Sequence, residues 1–327
     1  MSSFSCDLLA CPRCRGSFDE VDGSLRCGVC AARYAAPRGI PALRIEGEAE
    51  AAAEGVRSFY SAAPFPGYAP GLTMSGLRGR AARSEFARKL DRAIPGDATI
   101  LDLGCGTGQL SLFLATAQRR VVGADLTRAS LELGAEAATR LGVKGVEFVE
   151  TDLRAPGLRE EAFDVVVTSG VLHHLPDPRE GFRAVARLVH PGGVVVVGLY
   201  NAIARLPHRA RRAIARASGF RFFPFDPVLR DRGDPSRREA WLRDQYQHPI
   251  EHRHTVAEVQ RWFEECGLDY VRCFPSSILG EEDSAGLFDG ATDDWWPENA
   301  LAQFGWMKSL WAEGGLFVAV GVRRRAS

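Results

Sequence analysis

From residue 99 onward the chain alternates between short apolar runs and longer stretches of helical period. The runs cover residues 99–103, 120–124, 146–149, 163–168 and 194–199, are rich in valine, and carry few polar interruptions. Between them, residues 109–117, 131–141 and 179–189 repeat their apolar positions every three or four residues. Strands that are apolar at nearly every position, with helices between, indicate parallel strands buried on both faces. The pattern predicts an α/β fold built on a doubly wound, Rossmann-like sheet of five parallel strands over residues 96–200. Two later runs, 269–274 and 316–322, add a C-terminal pair of strands in a β-hairpin arrangement.

The flanks read differently. Residues 201–254 break the alternation, and 205–243 are rich in arginine with Phe220, Phe222, Phe223 and Phe225 interleaved, as an insertion or substrate lid would be. Regular structure resumes in 255–327, which opens with Thr255 as N-cap of an amphipathic helix. Upstream, 46–95 contains an Ala/Glu-rich linker, an aromatic stretch from Phe59 to Tyr68, and a helix over 83–93 stopped by Pro95-Gly96. Those aromatics suit either a lid over the following domain or a strap holding the linker to it.

Composition narrows the class. Of 327 residues, 46% are hydrophobic and 25% charged, as in an ordinary globular protein, and Lys+Arg and Asp+Glu both number 41. No global charge therefore argues for nucleic acid or membrane. No apolar run approaches the roughly 20 residues that span a bilayer. The first residues show no basic region followed by an apolar one, so a cytoplasmic protein without a transmembrane segment is expected.

Five of the eight cysteines precede Ala31. Four form two pairs, Cys11/Cys14 and Cys27/Cys30, around a spacer that turns at Asp22-Gly23. Two such knuckles supply four thiolates for one tetrahedral Zn²⁺; redox thiols or two disulfides are the alternatives. With Leu8-Leu9-Ala10 before them and Tyr34 and Gly39-Ile40-Pro41 after, residues 1–45 resemble a family of small zinc-ribbon proteins. Some members of that family are activating partners of methyltransferases. Packing on its own chain, a partner protein and RNA are the three roles open to such a ribbon.

The strongest chemistry lies at the end of the first strand, where Asp102 precedes Gly104-Cys105-Gly106-Thr107-Gly108 and a helix follows. A glycine turn that opens a helix makes a nucleotide-type site, shared by dinucleotide enzymes and methyl transferases. The carboxylate of Asp102 repels a pyrophosphate and attracts an ammonium group. Asp125 ends the second strand, where it can accept from ribose hydroxyls. Asp152 follows the third strand with the geometry to accept from an adenine amino group, while Leu126 and Leu153 can sandwich the ring. Ser169 begins the rim beyond the fourth strand.

From residue 100 to 199 these motifs, with Leu172-His173-His174-Leu175, match in order those of class I S-adenosylmethionine-dependent methyltransferases, and the chain resembles that family. The resemblance implies S-adenosylmethionine as cofactor, held by Asp102, Gly104, Cys105 and Gly106 at the methionine and ribose end, Asp125 at the ribose and Asp152 at the adenine. Methyl transfer requires a nucleophile aligned behind the sulfonium and water kept out, so no universal base is required. Candidate acceptor-side residues are Tyr200, after the fifth strand, and His252 and His254 in the segment 246–255, which carries three histidines and Glu251. The His173-His174 pair suits a structural helix start better than proton transfer. A small-molecule acceptor is the favoured reading. RNA is open through the arginines and phenylalanines, a membrane-bound acceptor through the basic stretch 206–216, and a non-catalytic binding protein through the fold alone.

Overall fold

The computed structural model describes residues 5–45, 67–69, 71–116, 118–226, 228–229, 235–248, 250–278, 286–290, 296–310 and 314–325. The linker 46–54 and the aromatics from Phe59 to Phe65 lie outside them. The N-terminal module is a three-stranded antiparallel sheet, β1 (Phe18–Val21), β2 (Ser24–Cys27) and β3 (Arg33–Ala35). Its first two strands turn through Asp22 and Gly23, both at positive φ, the geometry a two-residue hairpin favours.

The second sheet has eight strands. Its first, β4 (Ala42–Leu43), belongs to the N-terminal segment; β5 (Thr99–Leu103), β6 (Arg120–Asp125), β7 (Val146–Thr151), β8 (Phe163–Ser169) and β9 (Val189–Tyr200) follow, then β10 (Leu268–Phe274) and β11 (Leu316–Arg323). They lie in the order β10-β11-β9-β8-β5-β6-β7-β4. All neighbouring pairs from β9 to β4 are parallel, and β11 alone runs against its neighbours β9 and β10. The five expected parallel strands are present. The C-terminal pair is antiparallel, as expected, and is joined by a long connection bearing a helix, α9 below. Strand β9 starts at Val189, earlier than the apolar run at 194, because Val189 pairs with Phe163 ahead of a register shift.

Helices cover the sheet on both faces: α1 (Met74–Ala81), α2 (Glu85–Ala93), α3 (Gln109–Leu114), α4 (Arg128–Leu141), α5 (Pro178–Ala186) and α8 (Val256–Glu265). Ser84 caps α2, Asp177 caps α5 and Thr255 caps α8, each side chain accepting from backbone N–H groups of the first turn. The remaining helices are α6 (Leu206–Ala217) and α7 (Pro235–Leu242) in the insertion, and α9 (Trp296–Ser309). No helix is long and apolar enough to cross a membrane among the described residues.

The N-terminal module is part of the main body. Leu8, Leu9, Phe18, Leu25, Tyr34 and Leu43 share one apolar core with Leu101, Leu103, Val122 and Val149 of the sheet. Leu9 bridges Leu158, Arg15 donates to the carbonyls of Pro156 and Leu158 at 2.6 Å, and β4 extends the sheet beside β7. Gly157 lets the strands meet: a Cβ there would stand 2.4 Å from that of Leu43. Of the three roles open to the ribbon, packing on its own chain is the one the geometry displays.

Candidate functional site

The sheet reverses its direction of growth at β5, which has β6 on one side and β8 on the other. Open α/β sheets bind ligands above such a switch point, outside the carboxyl ends of the strands. Gly104, Gly106 and Gly108 all lie there at positive φ, in the left-handed region a side chain disfavours. Space is as restrictive as torsion. A Cβ on Gly104 would come within 2.3 Å of Val171, and one on Gly108 within 2.6 Å of the Phe148 ring.

Two carboxylates lie against this turn, Asp102 buried and Asp125 half-buried. Asp102 accepts from the Ser111 hydroxyl at 2.6 Å, and burial pushes its pKa up to about 6. Asp125 accepts from the backbone N–H of Gly106 at 2.9 Å and of Thr127 at 2.8 Å, and burial raises its pKa as well. The charge of Asp125 adds to the shift of Asp102. Cys105, between them in the turn, has its thiol driven well above the usual range by burial and then by both acids, so it stays protonated. Tyr68, at the end of the aromatic stretch, donates its hydroxyl to the Thr107 carbonyl at 2.7 Å and packs beside Cys105.

The other predicted cofactor residues sit around the same edge. Leu126 follows Asp125 and is half-buried; Leu153 is buried in the core. Asp152 accepts from the Arg154 backbone at 2.9 Å and pairs with its guanidinium at 2.7 Å, so its carboxylate is already oriented. Ser169 ends β8 against Gly198, where a Cβ would stand 2.2 Å from the serine hydroxyl.

Beyond β8 and β9 the insertion closes on the sheet through backbone bonds. His252 N–H donates to the His173 carbonyl at 2.8 Å and His254 N–H to that of Tyr200 at 2.9 Å. Tyr200 is held from all sides. The His173 ring stacks 3.9 Å away, the Arg205 guanidinium lies 3.6 Å from the ring centroid, and Gln245 donates to the hydroxyl at 2.6 Å. His173 is fully buried, neither ring nitrogen has a hydrogen-bond partner among the described residues, and burial keeps it neutral. His254 is differently placed: its Nδ1 lies 3.0 Å from Glu258 and its ring abuts Trp262, at the head of α8. His252, half-buried, stacks on His254 at 6.4 Å.

The residues behind this arrangement were not legible as a set. Arg205, wholly buried, forms a bidentate pair with Glu251 at 3.1 and 2.9 Å and donates to the Gly314 carbonyl. Arg212 joins Glu251 at 2.8 Å, and Arg211 pairs with buried Asp226, which also accepts from Tyr246. Burial alone would raise the Glu251 pKa, but Arg205 and Arg212 outweigh it and hold the carboxyl well below its usual range. Three of the insertion's arginines thus turn inward onto acids, away from any phosphate backbone.

Apart from this region, Cys11, Cys14, Cys27 and Cys30 bring their four sulfur atoms within 4.8 Å of one another. Tetrahedral Zn²⁺ with Zn–S near 2.3 Å sets sulfurs about 3.8 Å apart. The pairs Cys11/Cys30 at 3.7 Å and Cys14/Cys27 at 3.4 Å are close to that spacing.

A family model described as a methyltransferase domain matches residues 101–197, from β5 to the end of β9. Residues 101–197 are a methyltransferase domain. Over 106 residues the chain is 37% identical to the ubiquinone biosynthesis O-methyltransferase of Bordetella pertussis, covering 31% of this chain and 42% of that protein. A longer match, 29% over 220 residues, is to an uncharacterised protein of Synechococcus sp., covering 58% of this chain and 53% of the other. The chain spans about half the length, or less, of the curated relatives it matches. Among solved structures, the Haloferax volcanii complex of the Trm112 methyltransferase activator with a putative methyltransferase aligns over 83% of this chain and 99% of that one, at 17% identity and a TM-score of 0.48.

Within the methyltransferase domain the buried Asp102 carries a pH signature. Its pKa rises from the ordinary 3.8 to about 6 on folding, so between those values the native state binds more protons than the unfolded one. Stability then falls as pH rises through that window, by on the order of 3 kcal/mol in all at ~1.4 kcal/mol per unit. Asp102→Asn is expected to melt above the parent protein at pH 8 and to lose that advantage at pH 4, in thermal denaturation of the ligand-free chain. An equal difference at both pH values would mean the carboxylate is not desolvated.

Proposed function

We propose that this chain is an S-adenosylmethionine-dependent methyltransferase that passes the methyl group to a small-molecule acceptor by in-line displacement. The observation that carries the reading is the pair of acids, buried Asp102 and half-buried Asp125, flanking a left-handed glycine turn at the switch point of a methyltransferase domain. The residues fit the cofactor. Asp102 offers an anion to the methionine ammonium, directly or through water. The glycines of 104–106 allow close backbone approach. Asp125 has acceptor capacity left for ribose hydroxyls, Leu126 and Leu153 offer apolar faces to the adenine, and Asp152 an acceptor to its amino group. Ser169 closes the methyl end. When bound, the cofactor supplies a methyl group on a sulfonium, already electrophilic.

The chain's own contribution is then orientation and exclusion of water. The segment 250–254, bonded to His173 and Tyr200, forms the far wall of the acceptor space. Tyr200 is an orienting surface, fixed by His173, Arg205 and Gln245. His252 is the candidate for contact with the acceptor proton; His254, bound to Glu258, serves the start of α8. The names of the relatives, O-methyltransferases of ubiquinone biosynthesis, support a hydroxyl acceptor on a small molecule. The inward pairing of Arg205, Arg211 and Arg212 weighs against RNA.

Zn²⁺ is proposed for the four cysteines as a structural ion, holding the ribbon whose strand β4 lengthens the sheet. Metal analysis should find one zinc per chain. Cys11→Ser with Cys27→Ser should remove it and weaken hydrogen-exchange protection at Leu43 and Thr151; full protection without metal would contradict a structural role.

The decisive assay supplies labelled-methyl S-adenosylmethionine with fractionated cell extract. Label is expected in the small-molecule fraction. Label confined to the RNA fraction overturns the acceptor, and tight cofactor binding without transfer to any fraction makes this a binding protein. On an identified acceptor, His252→Ala should lower kcat by about 100-fold with little change in KM for the cofactor. Turnover that survives both His252→Ala and His254→Ala removes proton transfer from this segment.

A further inference from the structure

Helix α6 is built inside out. Its buried side carries His208, Arg211 and Ala215, with Arg212 partly buried beside them. Its exposed side carries Leu206, Ala210, Ala213, Ile214 and Ala217, flanked by Arg209 and Arg216. A helix at a water-facing surface turns its apolar stripe inward. Here the charges are satisfied inside, on Glu251 and Asp226, and the apolar stripe faces out. The turn behind the helix continues the pattern: Phe222 is 59% exposed and Phe225 72%. Phe225 also takes a left-handed backbone, φ 54°, which a bulky side chain disfavours.

Helix α9 is apolar on both sides. It buries Ala302 and Trp306 beside Asn299 and Gln303, and exposes Leu301 at 60% and Phe304 at 52%. The two helices are anchored at one point, since Asn201 accepts from the start of the α6 segment and donates to Gln303 at 2.8 Å. Among the described residues eight large hydrophobic side chains are exposed, and only Val29 and Leu133 lie outside 206–225 and 301–304. Scattered apolar residues are ordinary; this concentration around the ends of β8 and β9 marks an interaction face.

Charge identifies what covers it. Residues 205–225 contain six arginines and no acid, and Arg209, Arg216 and Arg221 are exposed beside the apolar stripe. An apolar strip edged by guanidinium groups suits the headgroup region of an anionic bilayer: the strip enters the acyl boundary and the arginines stay with the lipid phosphates. We propose that the outer face of α6 and the turn at Phe222–Phe225 lie on an anionic membrane surface, bringing the acceptor side of the site to the bilayer. The consequence for substrate, an amphiphilic acceptor drawn from the lipid phase, rests on the methyltransferase reading; the docking does not.

The test is flotation of the full chain with vesicles of phosphatidylcholine, with and without phosphatidylglycerol. The chain should float only with the anionic vesicles and leave them at high salt. Phe222→Ser with Phe225→Ser should weaken partitioning by about tenfold or more, in line with the apolar area withdrawn. Arg209→Glu with Arg216→Glu should do the same, while Leu133→Ser on α4 leaves it unchanged. Calorimetric binding of S-adenosylmethionine by each variant, measured without vesicles, reports folding and the cofactor site separately. Failure of the parent chain to float overturns the proposal, as does equal loss with Leu133→Ser. So does loss of single-stranded RNA binding in the phenylalanine variant of a chain that ignores vesicles.

Discussion

Two carboxylates on neighbouring strands, Asp102 buried and Asp125 half-buried, are the constraint around which this protein is arranged. Asp102 and Asp125 each have hydrogen-bond donors, yet neither forms an ion pair among the described residues, and burial raises both pKa values. Such a pair is costly in the free protein and well matched to a ligand that brings positive charge and hydroxyl groups. The same arrangement disfavours a pyrophosphate, which would add negative charge where two acids already oppose each other. In the proposed function the glycine turn and the switch point hold the ligand, and the acids select its chemistry.

Around that point the chain spends its additions on the two edges of the sheet. At one edge the four-cysteine module contributes β4 and a share of the main core, so it is a continuation of the fold. At the other, Arg205 gathers β9, the insertion and the loop before β11 by reaching Tyr200, Glu251 and Gly314 at once. Buried guanidinium–carboxylate pairs add little net stability against apolar packing, but loss of one partner strands the other. Their effect is to fix how the insertion sits over the ends of β8 and β9. That geometry also turns the apolar side of α6 outward.

What was legible in the chain followed from local physics. Strands buried on both faces must be apolar throughout, so the valine runs marked β5 to β9 to within a few residues, except where pairing of Val189 with Phe163 drew β9 back. Gly104, Gly106 and Gly108 announced a turn because only glycine suits those torsions. Strands β3 and β4 were invisible, since two or three residues become a strand only when β2 or β7 is beside them. The arginines of the insertion were equally misleading: a basic run suggests a solvated or phosphate-facing surface, whereas Arg205 finds its acid 46 residues away. No pattern within a helix discloses a partner at that distance. His252 and His254 looked equivalent in the chain, and only the fold separates the one bound to Glu258 from the other.

The central claim is that these two acids make this turn a site for a sulfonium cofactor. Calorimetric titration of the full chain with S-adenosylmethionine and, in parallel, NAD tests it most directly at pH 8 and pH 5. The account predicts one S-adenosylmethionine bound per chain at pH 8, weaker binding at pH 5 as Asp102 takes up its proton, and no NAD bound at either pH. Binding of NAD, or S-adenosylmethionine affinity that is indifferent to this change of pH, would contradict it.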